Sequence, residues 1–567
     1  MKLCKFNFGS IFIVCLVAFY ACQHHPPSQS TNILRVQVKH APDIINAALS
    51  RLSVSSFIEN TMSLPLAVWN EESMSWLPVL IDDYEPRKTK GGIDFMLHLR
   101  PEAQWSDGVS ISTQDLMYTL KMGLNPFINQ QSWAAYLELI TAIQQRNDSL
   151  LVTMETPYIL ADEFIAGLKP YPAHVLDPNH DLKKIPFERF LEGRFSVDEE
   201  KILQALASNF NSYGTPENWP SPVSGLFRME AWAPDQSITL VRTKNRWIDR
   251  VDDLRQFFKT NIDTLQYVII ADPQNALHAF TSGGVDVLNT IDQKDSAILS
   301  SFWGRVHNVP TLQQFYIAVN HKNPLLGQIN IRRALNMAIH RKDLITRLFH
   351  GYGQPAYGPI HPDKGYFSAR SVDYSPDQAR DLLKEAGCVD ENNDGILECE
   401  SRDGVRPLSF HIWTTRSELS RNVATLIKGY WKTIGVDLEI QSSDFRSFLP
   451  ELQNKTYDFA TLALRQNNLL DDPYPLWHSS QSSATGKNYQ ALANSALDHT
   501  LEQLRGAVVP AEQIKYYQEF QQTFDTLTPV FFLVAPDDAV GFRNDINLHW
   551  TPQRPGYDLL RSTIDSE

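Results

Sequence analysis

The sequence predicts an α/β protein of two or three domains, and three observations carry that expectation. Apolar runs of strand length alternate with amphipathic helical tracts along most of the chain. A chain of 567 residues exceeds what one hydrophobic core usually serves. With 43% hydrophobic and 20% charged residues, its composition is that of a globular protein.

The first element in chain order is a leader. Lys2 and Lys5 precede the apolar run 9–20, which is too short to span a bilayer comfortably. Ala21 and Cys22 follow, then the polar stretch 23–31. A Cys directly after a small residue at the end of such a run looks like a bacterial lipoprotein signal. Residues 1–21 are therefore read as a signal peptide, Cys22 as the lipid-bearing first residue, and 22–32 as a tether. An uncleaved anchor, or an ordinary signal peptide with an incidental Cys, is the competing reading. Either way, the bulk of the chain is expected to face the cell envelope. No later segment offers the ~20 uninterrupted apolar residues of a transmembrane helix. A lipid anchor binds instead by acyl burial, at about 0.8 kcal/mol per CH₂.

Beyond the leader, 33–38, 64–69 and 94–99 read as strands and 112–123 as a helix. Phe95, Leu97 and Leu99 alternate with Met96, His98 and Arg100, so one face of that strand is buried. Asp107-Gly108 is a turn signal. Ser112 is the expected N-cap, Asp115 favours the first turn, and Leu116, Met117 and Leu120 form the apolar stripe. Trp105 is expected to pack at the bend, which makes the corner 104-QWSDG-108 a packing device rather than chemistry. Segment 226–247 reads as a hairpin turning at Pro234-Asp235, and 265–270 as a buried strand. A helix in 272–288 ends at Gly283-Gly284 and leads into a strand. In the second half, 315–320 is a strand and 330–351 one long helical tract. Asn330 is its expected cap, Ile331, Ala334, Leu335, Ala338 and Ile339 its buried face, and Gly351 its stop. Helices at 377–387, 419–434 and 445–453 alternate with strands at 408–413, 436–441 and 457–464, implying a largely parallel sheet.

Charge and cysteines narrow the function. The formal charge is −14, and losing Lys2 and Lys5 with no acid in residues 1–21 takes it to about −16. That opposes nucleic-acid binding, and no basic stripe overrides it. Cys4 and Cys15 leave with the signal and Cys22 takes lipid, so Cys388 and Cys399 remain. A disulfide between them and two independent thiols are both open.

Several ordered blocks carry a resemblance: 104-QWSDGVSISTQDLMYTLK-121, 222-PVSGLFRMEAWAPDQSITLVRTKNRW-247, 276-ALHAFTSGGVDVL-288, 330-NIRRALNMAIHRKDLITRLFHG-351, 374-YSPDQARDLLKEAG-387 and 433-TIGVDLEI-440. Over roughly residues 40–545 the chain resembles the family 5 extracellular solute-binding proteins, the oligopeptide, dipeptide and nickel receptors of ABC importers. The resemblance implies a periplasmic binding protein-like α/β fold of type II, with two hinged lobes and a smaller extra domain. It divides the chain into lobe I (33–60, 175–310 and 529–567), an extra domain (61–174) and lobe II (311–528). It implies a monomer that holds an oligopeptide or other small solute unreacted between the lobes, delivers it to importer permease subunits, and needs no cofactor and no resident metal. Expected ligand-binding residues are Ile45, Asn46 and Ala47 from lobe I. Lobe II would add Trp413, Arg416, Arg465, Gln466, Asn467, Asn468, Leu469, Asp471 and Asp472.

The chain departs from the family pattern at three places. Ser224-Gly225-Leu226-Phe227 replaces a Gly-Pro-Tyr hairpin, and His340 stands where an Asp commonly follows Ala-Ile. In peptide-binding members a Trp and then an Asp precede the Asp/Glu-Pro pair, and that Asp holds the peptide α-ammonium. Counting back from Pro473, those positions are Gln466 and Leu469, and Leu cannot pair with an ammonium. Either Asp471 or Asp472 takes over, or a free N-terminus is not read.

Two other classes are weighed. Residues 390–401 imitate a calcium loop, but Ser401 stands where a bidentate Glu belongs, so a structural turn is expected. The 16 histidines include His24-His25 but show no zinc spacing; a ligand bound as a metal chelate stays open. An envelope hydrolase lacks its usual signatures: no G-x-S-x-G, Walker A or G-x-G-x-x-G is present. Asp82-Asp83 and Asp471-Asp472 are adjacent, not the opposed pair of glycosidases. A lipoprotein with this fold but no importer, or a glycan as ligand, completes the alternatives.

Overall fold

The computed structural model describes residues 32–565, apart from 85, 90–91, 130–133, 155, 245, 290, 292–294, 296–297, 300–302, 467–468, 484 and 553. The leader, Cys22, the tether up to residue 31, Asn467 and Asn468 lie outside the described residues.

Ile33–Val38 starts a seven-stranded sheet, with Leu34, Val36 and Val38 buried. Across the sheet the order is Gly304–Pro310, Asp537–Arg543, Val287–Leu288, Ile33–Val38, Thr264–Ile269, Ser237–Arg242, Phe227–Ala233. Ile33–Val38 runs parallel to both of its neighbours, and the other pairings are antiparallel. The Ser237–Arg242 hairpin turns as expected, with Asp235 at φ 57°. The Asp of the helix-Gly-Asp-strand block has a fastening role: Asp286 accepts from Arg35 N at 2.7 Å and from Arg543 Nη1 at 2.8 Å. Burial pushes its carboxyl up while Arg543 pulls it back down, so the acid and the guanidinium stay paired where Val287–Leu288 adjoins Asp537–Arg543.

The second sheet has the order Gln354–Pro355, Val530–Ala535, Gln313–Val319, Phe459–Arg465, Ser409–Thr415, Asp437–Ser443. Ser409–Thr415 is parallel to both neighbours, but Gln313–Val319 is antiparallel to both of its own. The expectation of a largely parallel sheet is thus corrected to a mixed one. Strand-helix alternation specifies the local 409–465 unit, whereas the strands completing the sheet arrive from distant chain positions.

The long tract at 330–351 is also corrected: it is two helices, Ile329–Met337 and Arg341–Leu348. Gln328, not Asn330, is the first N-cap residue. At the break, His340 Nδ1 accepts from Asp343 N at 3.1 Å, doing the capping work of the Asp it replaces. Arg341 then turns inward, donating to Phe532 O at 2.8 Å and Ala356 O at 3.1 Å. These bonds satisfy a guanidinium that is otherwise fully enclosed, and burial lowers its pKa to about 10.

The chain crosses between the two sheets twice, through 311–312 and through Pro536, and Thr311 Oγ1 donates to Pro536 O at 2.9 Å. The second crossing comes later than the expected 528/529 boundary, because Val530–Ala535 hydrogen-bonds to Gln313–Val319 rather than to the first sheet. A third, antiparallel sheet orders Arg87–Lys88, Ile93–His98, Ser149–Met154 and Ile140–Arg146. Next to it stands the Trp-Ser-Asp-Gly corner. Gly108 adopts φ 91°, Trp105 is buried, and Ser112 and Asp115 form a capping box. Ser106 and Val223 bond each other reciprocally, Ser106 N to Val223 O at 2.8 Å and Val223 N to Ser106 Oγ at 3.1 Å. The corner therefore fastens the third sheet's region to the first.

Cys388 and Cys399 form a disulfide. Between them Asp390 accepts from Asp394 N and Gly395 N, and Asp394 from Ile396 N, so backbone groups take up these acids as in a structural turn. Among the described residues, no helix is long and apolar enough to cross a membrane.

Candidate functional site

A cavity of about 1200 Å³ lies where the three sheet regions meet. Its wall is assembled from short, widely separated segments. Phe57, Tyr557 and Asp558 come from the side of the first sheet; Trp69, Trp76 and Tyr158 from the side of the third; Lys364, Tyr366 and Leu469 from the second.

Aromatic rings give the cavity its shape. Trp69 and Trp76 face each other across the two-stranded hairpin Ala67–Asn70 and Ser75–Pro78, edge to face at 5.5 Å. Trp76 Nε1 donates to Asp162 Oδ2 at 2.8 Å, which fixes that ring against the helix Ala161–Ala166. Phe57 packs edge-on against Tyr267 at 5.4 Å and Tyr557 at 5.7 Å. Tyr366 stacks on Tyr517 at 3.8 Å. Rigid rings with few polar handles are the usual lining of a small-molecule cavity.

Four cations in this wall stand beside acids. Lys169 is 3.8 Å from Glu59, and Arg561 is 3.0 Å from Glu71. Arg554 is 3.1 Å from Asp538, and Lys364 is 3.4 Å from Asp471. Burial raises the Glu59 carboxyl, with Lys169 opposing the rise. Asp558 is pushed up to about 6 by burial, against a backbone hydrogen bond from Leu560. Glu163 is pushed up to about 7 by burial, against a bond from the Leu470 backbone; its Oε2 is buried without a hydrogen-bond partner.

Of the residues expected from sequence, Ala47 and Leu469 line the cavity. Asp471 lies just behind it, bonded to Tyr366 Oη at 2.9 Å. Asp472 accepts from Tyr158 Oη at 3.2 Å and pairs with Arg505 at 3.2 Å. Others serve packing. Ile45 is fully buried, and Asn46 accepts from Tyr171 Oη at 2.6 Å while donating to Tyr213 O at 3.0 Å. Gln466 is buried, donating to Pro359 O and accepting from His361 N, both at 2.6 Å. Trp413 stacks on Phe448 at 6.0 Å, Arg416 is exposed, and Arg465 ends its strand near Asp538 and Arg554. Sequence reading missed Trp69, Trp76, Glu163, Lys364 and Tyr366. Their one visible signal was the pair of tryptophans flanking a turn, which reads equally well as core.

The family model for bacterial extracellular solute-binding proteins, family 5, matches residues 77–487. This chain belongs to that family. A curated relative of this solute-binding protein, the oligopeptide-binding protein AppA of Bacillus subtilis, is 22% identical over 529 residues, covering 91% of this chain and 89% of AppA. The solved structure of AppA from B. subtilis with a nonapeptide superposes with a TM-score of 0.66 at 20% identity, covering 94% of this chain and 99% of AppA. NikZ from Campylobacter jejuni, solved with Ni(L-His), gives a TM-score of 0.66 at 21% identity, covering 92% of this chain and 95% of NikZ. The fold of this solute-binding protein is thus the periplasmic binding protein type expected from its sequence. As a family member it is a binding receptor and not an enzyme.

Proposed function

We propose that this receptor captures an oligopeptide or comparable small solute for an ABC importer by closing two lobes around it. The observation that carries this reading is the large cavity walled by all three sheet regions, with aromatic rings on opposite sides. Such a cavity buries a ligand of several residues, and contacts from both lobes favour the closed form. The two crossings beside Thr311 and Pro536 serve as the hinge. The proposed division is lobe I, extra domain and lobe II as expected from sequence, with the second crossing moved to Pro536. Ala47, Leu469, Trp69, Trp76, Tyr158 and Tyr366 are the proposed ligand contacts, with Asp471 and Asp472 behind them.

The same reading places the protein in the cell envelope as a monomer, with lipid on Cys22 holding it near its permease. Native mass spectrometry of purified protein is expected to reveal a co-purified ligand or ligand mixture. Persistent emptiness, with no thermal shift from any peptide pool, would count against peptide capture. Cys22→Ser is expected to move the protein from the membrane to the soluble fraction; continued membrane retention would remove the anchor from the reading.

A further inference from the structure

The cavity's polar wall includes a nearly buried cation, Lys364. Lys364 Nζ donates to Leu469 O at 3.1 Å and stands 3.4 Å from Asp471 Oδ2, with its side chain only 4% exposed. Tyr366 Oη reaches the same two acceptors, at 3.1 Å and 2.9 Å. A carboxylate, a carbonyl and a neighbouring ring are the surroundings a primary ammonium requires, and here a lysine from the protein fills them.

We infer that Lys364 stands in for a ligand ammonium, so that the cavity accepts solutes carrying no free amine at this end. This rests on the proposed capture of a peptide-like solute. A second ammonium brought to Asp471 would meet Lys364 across a few ångströms of poorly solvated space, and like charges there are strongly unfavourable. Elsewhere in the wall the acids are also satisfied: Glu59 by Lys169, Glu71 by Arg561, Asp162 by Trp76 and Tyr84. Glu163 differs, because its Oε2 has no partner. Burial raises its pKa to about 7 against the pull of Lys364, and its protonated form can offer an O–H to a neutral acceptor such as a ligand carbonyl.

The test is competitive retention by the full chain. A mixed-sequence peptide pool with free amino termini is combined in equal amounts with its isotopically labelled Nα-acetylated counterpart. After removal of unbound peptide, the bound fraction is read by mass spectrometry. Wild type is expected to retain the acetylated pool about tenfold over the free amines. Lys364→Met, which leaves Asp471 without its cation, is expected to shift the ratio about tenfold toward free amines. Equal retention of the two pools by wild type, a wild-type preference for free amines, or an unchanged ratio in Lys364→Met overturns the inference while leaving peptide capture standing. Retention of neither pool overturns peptide capture and this inference with it. If Lys364→Met does not melt as a folded protein, the wild-type ratio decides alone.

Discussion

Gly225 sits against the carbonyl of Met62: its N–H donates there at 2.7 Å, and a Cβ would stand 2.5 Å from that carbonyl's carbon and oxygen. This explains why the block has Gly next to Ser224, whose hydroxyl accepts from Leu64 N at 2.9 Å. Gly225→Ala is expected to cost about 1–3 kcal/mol, because backbone rather than a flexible side chain must give way. Urea unfolding of the variant checks it, and an unchanged midpoint would refute the close-contact argument. Glu163 supplies a pH signature. The folded protein holds its proton more tightly than the unfolded chain, with a pKa raised from 4.5 to about 7. Its contribution to stability is therefore present below about pH 4.5 and lost as pH rises through about 7. Glu163→Gln is expected to be more stable than wild type at pH 8 and equal to it near pH 4, as read by denaturant midpoints. The opposite slope would mean that the carboxylate is compensated in the folded state.

At the scale of elements, the disulfide closes a short loop around an Asx-rich turn, and its two sulfurs sit in the core under the helix Pro376–Glu385. Replacing both cysteines by Ala is expected to cost about 3 kcal/mol by loop-closure entropy, read as a lower melting temperature with unaltered ligand retention. Loss of retention instead would tie this hairpin to the cavity. The aromatic hairpin is the converse case. Trp76→Phe removes the bond to Asp162 and is expected to weaken ligand binding with little change in melting temperature. Elements of this kind were readable unevenly. The strand Ile93–His98 and the capped helix Thr113–Gly123 emerged from alternation and capping chemistry within one or two residues. The break at 338–340 did not, because the apolar spacing runs straight through it and only the inward turn of Arg341 requires it. The cavity wall was the least readable part. Phe57, Trp69 and Tyr557 carry the same apolar signature as core residues, and only the fold brings them around one space.

For the molecule as a whole, Tyr158, Ile159 and Arg505 join the third sheet's region to the second's beside the cavity. Ile159 N donates to Arg505 O at 2.8 Å, while the Arg505 guanidinium pairs with Asp472 and lies 4.5 Å from the Tyr474 ring centre. The Arg505 side chain is 42% exposed, so its loss is expected to cost closure only about 1 kcal/mol, or about fivefold in apparent ligand affinity. Arg505→Ala should show that drop together with a larger radius of gyration in solution scattering without ligand; an unaltered profile would show that these contacts do not set the open–closed balance. Family membership was legible in the ordered blocks because they mark joints such as the Ser106–Val223 clasp, whereas Lys364 and Glu163 lie between blocks. Asp537–Arg543 is inserted between Gly304–Pro310 and Val287–Leu288, so two stretches made midway through synthesis stay without their shared neighbour until it is nearly finished. The half of the molecule that begins first is consequently completed last, and a nascent chain stalled before residue 537 would keep that sheet open.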